Sequence, residues 1–196
     1  MAGFTRQAIQ SSFCRLLAEK PLNKISVRDI VEDCGINRNS FYYHYQDIPA
    51  LLDEIVAEQT EKLMQAYPTV ASLDECFQAA FRFARRNRSA VHHIYESANR
   101  DLFIQGALRL SEYFVTRYVS ELPAAQHADP HDRQILITCL KCQLFGMCID
   151  WIVSGMKDEA YDDLRRGLAL WRGIPEQLLQ KSAAQGQGAV QNGKNV

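Results

Sequence analysis

The chain has 196 residues, of which 47% are hydrophobic and 23% are charged, and its formal net charge is −1. This balance is that of an ordinary globular protein, and it excludes a disordered chain or a strongly basic one. Any attraction to a polyanion must therefore come from a local cluster of charges.

The first helix is predicted over residues 1–20, where polar and apolar residues alternate at helical spacing. A segment with this alternation is not a signal peptide, so we expect the protein to stay in the cytoplasm. Four residues fall on the inward face of this helix: Ile9, Phe13, Leu16 and Leu17.

Residues 26–45 contain two short helical patterns joined by a Cys-Gly-Ile turn. Ser26 can cap the first helix, with Asp29 in the reciprocal position three residues later. Gly35 supplies the left-handed conformation that ends this helix, and Asn37 caps the next one. A helix-turn-helix of this spacing is how many proteins place a helix in the major groove of DNA.

The second helix of this pair is distinguished by the side chains that it exposes. With Phe41 and Tyr45 on the buried face, the opposite face is polar and aromatic and has no acidic residue. A helix that only covers a core usually carries Glu and Lys outward, so this pattern favours contacts with base edges and phosphate oxygens. The alternative interpretation is a helical hairpin with no role in DNA binding. The outward residues are Arg38, Asn39, Ser40, Tyr42, Tyr43 and His44.

The segment GINRNSFYYHYQDIPALL, residues 35–52, resembles the recognition-helix signature of the TetR family of bacterial transcriptional regulators. The resemblance covers residues 6–56 closely, and beyond them only the helical architecture is similar. Two positions depart from the family pattern. Asn39 stands where a small residue is common, and Ile48 stands where many members have a Lys that contacts phosphate. The matching residues are Phe13, Ser26, Ile30, Gly35, Ser40, Phe41, Tyr42, His44, Tyr45, Leu51 and Leu52.

The predicted DNA-binding residues are Ser26, Arg28, Arg38, Asn39, Ser40, Tyr42, Tyr43 and His44. Among them, the resemblance places Tyr42 and His44 on phosphates. The two arginines, Asn39 and Tyr43 are expected to reach base edges, since Arg can bind guanine and Asn can bind adenine in bidentate fashion. Lys24 would add to a small local patch of positive charge.

The first three helices, over about residues 5–45, are too short to bury enough surface by themselves and need a platform. A fourth helix over residues 48–64, capped by Asp47, provides it. We therefore predict a DNA-binding head over residues 1–47, a helical body over residues 48–180 and a disordered tail over residues 181–196. The resemblance implies that the body binds an effector and dimerises. No segment alternates like a strand, so the predicted fold class is all-α.

Three further helices are predicted in the body, at residues 72–87, 89–98 and 101–121. Residues 123–130 form a loop whose Asp129 caps the next helix. Mixed aromatic and polar side chains could line an effector pocket, although such a stripe is more often plain core. The candidate effector-binding residues are Phe81, Tyr95, Phe103, Phe114, Cys142 and Trp151.

Residues 135–153 are apolar on nearly every side. Lys141, Gln143 and Asp150 lie inside this stretch and argue against a membrane span. A helix that is apolar all round must be covered on two sides, one by its own core and the other most simply by a second subunit. Residues 161–179 add a further apolar stripe, and the resemblance implies a paired-helix homodimer interface. The predicted interface residues are Leu144, Ile152, Leu164, Leu168 and Trp171.

Cys139 and Cys142 form a CxxC motif inside this apolar stretch. A structural zinc site needs four convergent ligands, usually in turns, so core packing is the plainer interpretation of the pair. The chain has no Gly-rich phosphate loop, HExxH or nucleophile elbow, so we predict no enzymatic activity, no cofactor and no metal. The alternative is a thiol- or metal-dependent redox protein or enzyme that uses these two cysteines.

The sequence thus predicts a TetR-like homodimeric regulator, and the resemblance implies a repressor that a small-molecule effector releases. Its partners would be double-stranded DNA, a second copy of itself and an unidentified effector, with no membrane. Two identical heads related by a two-fold axis read a site of the same symmetry, so the operator should be a palindrome. The effector can release DNA only by binding better to a spacing of the heads that does not fit the operator.

Overall fold

The structure is a computed structural model that describes residues 2–192, and the side chains of residues 4–72, 74, 75 and 77–185. The described part is built of helices and contains no strand, so the all-α prediction is confirmed. Its α-helices are α1 (Ala2–Glu19), α2 (Val27–Cys34), α3 (Arg38–His44), α4 (Ile48–Ala66), α5 (Leu73–Arg86), α6 (Arg88–Tyr95), α7 (Arg100–Glu121), α8 (Pro130–Val153), α9 (Asp158–Leu170) and α10 (Ile174–Asn192).

The chain divides into two compact units, and the first consists of Met1–Lys62 and Phe83–Ala107. In it α1 packs against α2, α3 and α6. The apolar stripe predicted for α1 is buried here, except for Leu16, which is half-buried. This unit reaches beyond the predicted head, because it also contains most of α4, α6 and the start of α7. The division at residue 47 stays a prediction about where the DNA-reading part ends. The buried core residues are Ile9, Phe13, Leu17, Leu22, Ile25, Ile30, Val31, Phe41, Tyr45, Leu51, Leu52, Ile55 and Ile94.

The second unit consists of Leu63–Arg82 and Leu108–Val196, and α8 packs against α9 and α10 within it. By length and composition alone α8 is apolar enough to cross a membrane, since an 18-residue window has a mean hydropathy of 1.6. The core helix of a globular protein passes the same test. The buried residues of α8 are Leu136, Ile137, Leu140, Leu144, Trp151 and Ile152.

Two expectations for the C-terminal part differ from the structure. The stripe predicted over residues 161–179 is broken into α9 and α10, because Gly173 adopts a left-handed conformation with φ of 79°. Residues 181–192, expected to be disordered, continue α10. Ser182 is buried and its Oγ donates a hydrogen bond to Asp132 Oδ2 at 2.6 Å, which ties this segment to α8. The last four residues of the predicted tail, 193–196, lie outside the described residues.

Candidate DNA-binding surface

The first helix of the motif, α2, begins with a capping box. Ser26 Oγ accepts a hydrogen bond from Asp29 N at 3.2 Å, and Asp29 Oδ2 accepts one from Ser26 N at 2.8 Å. Lys20 Nζ lies 3.3 Å from the same carboxylate. The hydrogen bonds from Ser26, followed by the contact with Lys20, lower the pKa of Asp29. The predicted capping box is confirmed. The Asp29 carboxylate is bonded to Ser26 and Lys20 of the same chain.

The turn between α2 and α3 is tight and specified by its residues. Gly35 has a φ of 70°, a left-handed conformation that few side chains tolerate, and Ile36 N donates to Val31 O at 3.0 Å. Asn37 Oδ1 then accepts hydrogen bonds from Ser40 N at 2.8 Å and from Ser40 Oγ at 3.1 Å. The predicted turn and cap are confirmed. The hydroxyl of Ser40, predicted to contact DNA, serves the cap in the free protein.

The exposed face of α3 carries most of the side chains predicted to contact DNA. Phe41 is fully buried and Tyr45 is 4% exposed, so the opposite face of the helix points to solvent. Tyr43 is 81% exposed and Tyr42 is 55% exposed, which is unusual for rings of this size in a protein that keeps its other aromatic residues mostly inside. No acidic residue lies within α3. The outward side chains are Arg38, Asn39, Tyr42 and Tyr43, with Ser40 and His44 half-buried at the edges.

The cations around this face differ in how far they are neutralised. Arg28 Nε donates to Glu32 Oε1 at 2.7 Å, one helical turn along α2. Lys24 and Arg38 form no ion pair with the rest of the described chain. The positive charge of the predicted patch therefore rests mainly on Lys24 and Arg38, while that of Arg28 is partly compensated.

A polar network behind α3 was not anticipated from the sequence. Glu54 of α4 accepts hydrogen bonds from Tyr45 Oη at 2.5 Å, from Arg6 Nε at 2.8 Å and from Gln10 Nε2 at 2.9 Å. Partial burial raises the pKa of Glu54, but the hydrogen bonds from Tyr45, Arg6 and Gln10 outweigh it and lower the pKa. Burial and the bond to Glu54 raise the pKa of Tyr45 to about 12. The network joins α1, the end of α3 and α4.

Three of the predicted effector-binding residues lie in the buried core of the second unit. Phe81 stacks on Phe77 with ring centroids 3.7 Å apart and lies 4.4 Å from the ring of Trp151. Tyr161 completes this aromatic cluster, 5.4 Å from Phe81. Phe114 is the third candidate in this unit. Phe81, Trp151 and Phe114 are each at most 1% exposed. These side chains fill the core rather than line an open cavity.

The other three candidate effector residues lie elsewhere. Tyr95 and Phe103 belong to the first unit, where their ring centroids are 6.3 Å apart. Phe103 packs against the core of that unit. Cys142 is exposed on α8, so it does not share a buried pocket with Phe81 and Trp151.

The predicted dimer-interface residues need a correction. Leu144, Ile152 and Leu168 are 3%, 4% and 6% exposed within a single chain, so they pack in its own core and offer almost no surface to a partner. Leu164 is half-buried. Trp171, at 36% exposed, offers the most surface of the five within a single chain.

α8 and α10 expose a different set of apolar side chains from the buried ones just described. Ile135 is 48% exposed and Leu178 is 43% exposed, and both line a groove of about 660 Å³ in the second unit. Trp171 lines the same groove. We call this surface the α8–α10 groove. Its lining residues are Asp132, Ile135, Leu136, Cys139, Leu140, Gln143, Trp171, Leu178, Leu179, Lys181, Ser182 and Gln185.

The cysteines whose side chains the structure describes give no support to a metal or thiol site. Cys139 and Cys142 are exposed and unpaired, so the expected core packing of this pair is wrong. Cys148 is half-buried, and desolvation raises the pKa of its thiol to about 12, which keeps the thiol protonated. Within the described chain, no three His, Cys, Asp or Glu side chains are placed to hold a metal ion.

Comparison with known proteins agrees with this architecture. Residues 14–55 match a family described as bacterial regulatory proteins, tetR family, and residues 71–162 match the family described as transcriptional regulator C-terminal region. No curated protein sequence gives a significant match.

Solved structures show the same fold at low sequence identity. The dihydroxyacetone kinase operon activator DhaS has 17% identity and a TM-score of 0.61, over 92% of this chain and 95% of its own. Salmonella enterica GusR has 17% identity and a TM-score of 0.55, over 84% of this chain and 93% of its own. The capped helix-turn-helix, the helical C-terminal region and these matches confirm the resemblance: the chain belongs to the TetR family of transcriptional regulators, whose members bind DNA and act as dimers.

Proposed function

We propose that this regulator binds a palindromic operator as a homodimer through α2 and α3, and that a small-molecule effector releases it from DNA. The observation that carries the proposal is the exposed face of α3. It presents polar and aromatic side chains, two large tyrosine rings among them, without an acidic residue that phosphates would repel. A hairpin that only covered a core would gain nothing from this composition.

The side chains of this face divide by what they can contact. Tyr42 and His44, at the positions that the family motif places on phosphates, fix the register of the head without reading sequence. Asn39 and Arg38 are exposed and can reach base edges. A bidentate pair of Asn with adenine or of Arg with guanine contributes about 1–3 kcal/mol of discrimination.

The second copy is proposed to cover the outward stripe of α8 and the α8–α10 groove. The outward positions of α8 recur at alternating intervals of four and three, the spacing of a seam between paired helices. They are apolar or small; Ile149 among them is half-buried, and the exposed Asp150 lies at the edge of the stripe. The stripe consists of Ile135, Cys139, Cys142, Gly146, Ile149 and Val153.

The proposed effector site is the aromatic cluster of the second unit around Phe81 and Trp151, with Phe114 as a further candidate. Because these rings are packed together in the free protein, an effector must displace them, which favours a flat apolar or aromatic molecule. Such a molecule releases DNA only by the difference in its affinity for the two head spacings.

Mobility-shift binding to the DNA that flanks the regulator's own gene and its neighbours tests the DNA-binding part. Wild-type protein should shift one or more of these fragments at nanomolar concentration in the presence of competitor DNA. Asn39→Ala should relax sequence preference, whereas Tyr42→Phe should weaken all sites alike. If Asn39→Ala left the penalties for mismatched bases unchanged, its proposed role would be wrong. A reporter that is repressed by wild-type protein and derepressed by its loss would establish repression rather than activation.

The effector site can be tested through fluorescence, because the chain has only two Trp residues. Trp171→Phe leaves Trp151 as the sole indole, and its emission should change on adding an effector that also dissociates the DNA complex. An effector that dissociates DNA without changing Trp151 emission would place the site elsewhere.

A further inference from the structure

The ion pair between Arg28 and Glu32 leaves the terminal nitrogens of the Arg28 guanidinium free to bind another group. The contact is made by Arg28 Nε, which donates to Glu32 Oε1 at 2.7 Å. The two terminal nitrogens, Nη1 and Nη2, have no partner in the described structure. A guanidinium has five donors in a rigid planar fork, so holding it at Nε fixes its plane while the terminal N–H groups stay available.

The position of the pair on α2 separates it from the other acids of the same helix. Asp29 is bonded to Ser26 and Lys20, and Asp33 pairs with Arg15 of α1. At about 100° per residue, those two acids share the flank of α2 that faces α1, and the Arg28 and Glu32 pair lies on the other flank. Arg28 and Glu32 are 69% and 61% exposed.

A structural role explains the pair poorly. An exposed ion pair one turn apart on a helix adds little to stability, because water screens it and both side chains lose freedom. On a surface that meets phosphates, a carboxylate also opposes binding. An acid at this place lowers the affinity for DNA in general, and a gain in selectivity would offset that loss.

We propose that Glu32 is a positioning residue for base recognition, which holds Arg28 through Nε so that its Nη1 and Nη2 groups meet the O6 and N7 acceptors of a guanine. The inference rests on the proposed function, since it assigns a role at the same DNA-reading surface. Paired in this way, Arg28 is also less able to swing to a phosphate, because it would leave the carboxylate unpartnered. Discrimination for guanine is thereby gained at the expense of non-specific affinity.

The experiment compares wild type with Glu32→Gln, Arg28→Ala and the double variant, with Asp33→Asn as the matched control. Asp33→Asn removes one negative charge from the same helix but breaks a pair directed at α1. Sites are first selected from a random duplex pool with wild-type protein. Affinities are then measured for the selected site, for sites with each half-site guanine replaced, and for an unrelated duplex over a range of salt concentrations.

Glu32→Gln should reduce the discrimination at one guanine per half-site by about 5- to 10-fold, part of what a bidentate contact supplies. Its binding to the unrelated duplex should be unchanged or tighter, with the slope of log K against log salt steeper by about 0.9 for each arginine freed to bind a phosphate. Arg28→Ala should abolish preference at the same position, and Glu32→Gln should then add nothing. Melting temperatures report that all variants remain folded.

Equal guanine discrimination in Glu32→Gln and Asp33→Asn would overturn the inference, since any shared effect is one of net charge. Loss of discrimination in Arg28→Ala but not in Glu32→Gln would also overturn it, while leaving the proposed function intact. A wild-type protein that selects no sequence at all would instead refute the proposed function. These outcomes are distinguishable in one set of titrations.

Discussion

Tyr45 donates its hydroxyl hydrogen to Glu54 across 2.5 Å, and this bond ties the residue that ends the recognition helix α3 to the helix that follows it. Arg6 and Gln10 of α1 donate to the same carboxylate. One acid therefore connects three of the helices that form the first unit. The orientation of the DNA-reading face depends on this polar contact as well as on the burial of Phe41.

Tyr45→Phe should lower the free energy of unfolding by about 1 kcal/mol, because it removes a hydrogen bond to a carboxylate in a partly buried site. DNA affinity should fall with it, since the end of α3 loses its anchor. Denaturant unfolding and titration with a selected DNA site measure the two effects. Tyr43→Phe is the control for stability, since Tyr43 is 81% exposed. Equal unfolding free energies for the two variants would show that the bond to Glu54 contributes nothing.

The same bond makes stability depend on alkaline pH. The pKa of Tyr45 is raised from 10.0 to about 12 in the folded protein, first by burial and then by the bond to Glu54. Between pH 10 and pH 12 the unfolded chain therefore loses a proton that the folded chain keeps. The stabilisation is complete below pH 10 and is lost as pH rises toward 12. Unfolding free energies should fall more steeply over this range in wild type than in Tyr45→Phe, and parallel curves would contradict the assignment.

Gly106 of α7 marks a close approach to α4. A Cβ added there would lie 2.8 Å from Val56 Cγ1 and 3.2 Å from Thr60 Oγ1, so the Val56 side chain or one of the helices must shift. Gly106→Ala should destabilise the protein by about 1–3 kcal/mol. Gly167→Ala is the matched control, since nothing lies within 4 Å of its added Cβ, and it should be neutral or stabilising by up to about 1 kcal/mol. Thermal or denaturant unfolding of both variants checks this, and equal shifts would refute the close packing.

If the second copy covers the outward stripe of α8, two arginine substitutions on this helix should have different effects on folding and on association. Ile135→Arg, on the exposed stripe, should yield a folded monomer because an unpaired charge opposes association through an apolar surface. Leu144→Arg, at a buried position, should unfold or aggregate the chain. Sedimentation and circular dichroism distinguish these results. Phe4→Arg, at an exposed position of α1, is the control and should remain a dimer. A stable dimer of Ile135→Arg would show that the second copy does not cover this stripe.

The sequence was most informative where structure is set by neighbours along the chain. The capping box of Ser26 and Asp29, the left-handed Gly35 and the Asn37 cap all depend on residues within a few positions, and all three are confirmed. The network at Glu54 could not be read in this way. Its donor Arg6 lies 48 residues upstream, and only the packing of α4 on α1 brings the two together.

Helical periodicity also could not assign the faces of α8. Leu144 and Ile135 both belong to a helix that is apolar all round, and tertiary packing alone decides that the first is buried while the second stays exposed. The break between α9 and α10 was readable, since Gly173 is followed by Pro175, but a continuous apolar stripe concealed it. The helical tail was missed because its contact, from Ser182 to Asp132, is long-range.

In the proposed function, two identical heads read DNA through α2 and α3. Selection of bound sequences from a random duplex pool, followed by sequencing, tests it most directly. Wild-type protein should enrich an inverted repeat whose half-sites are separated to match the two heads, and Asn39→Ala should enrich a repeat that is less restricted at one or more positions. Enrichment of asymmetric sites, or of no sequence at low salt, would contradict the account.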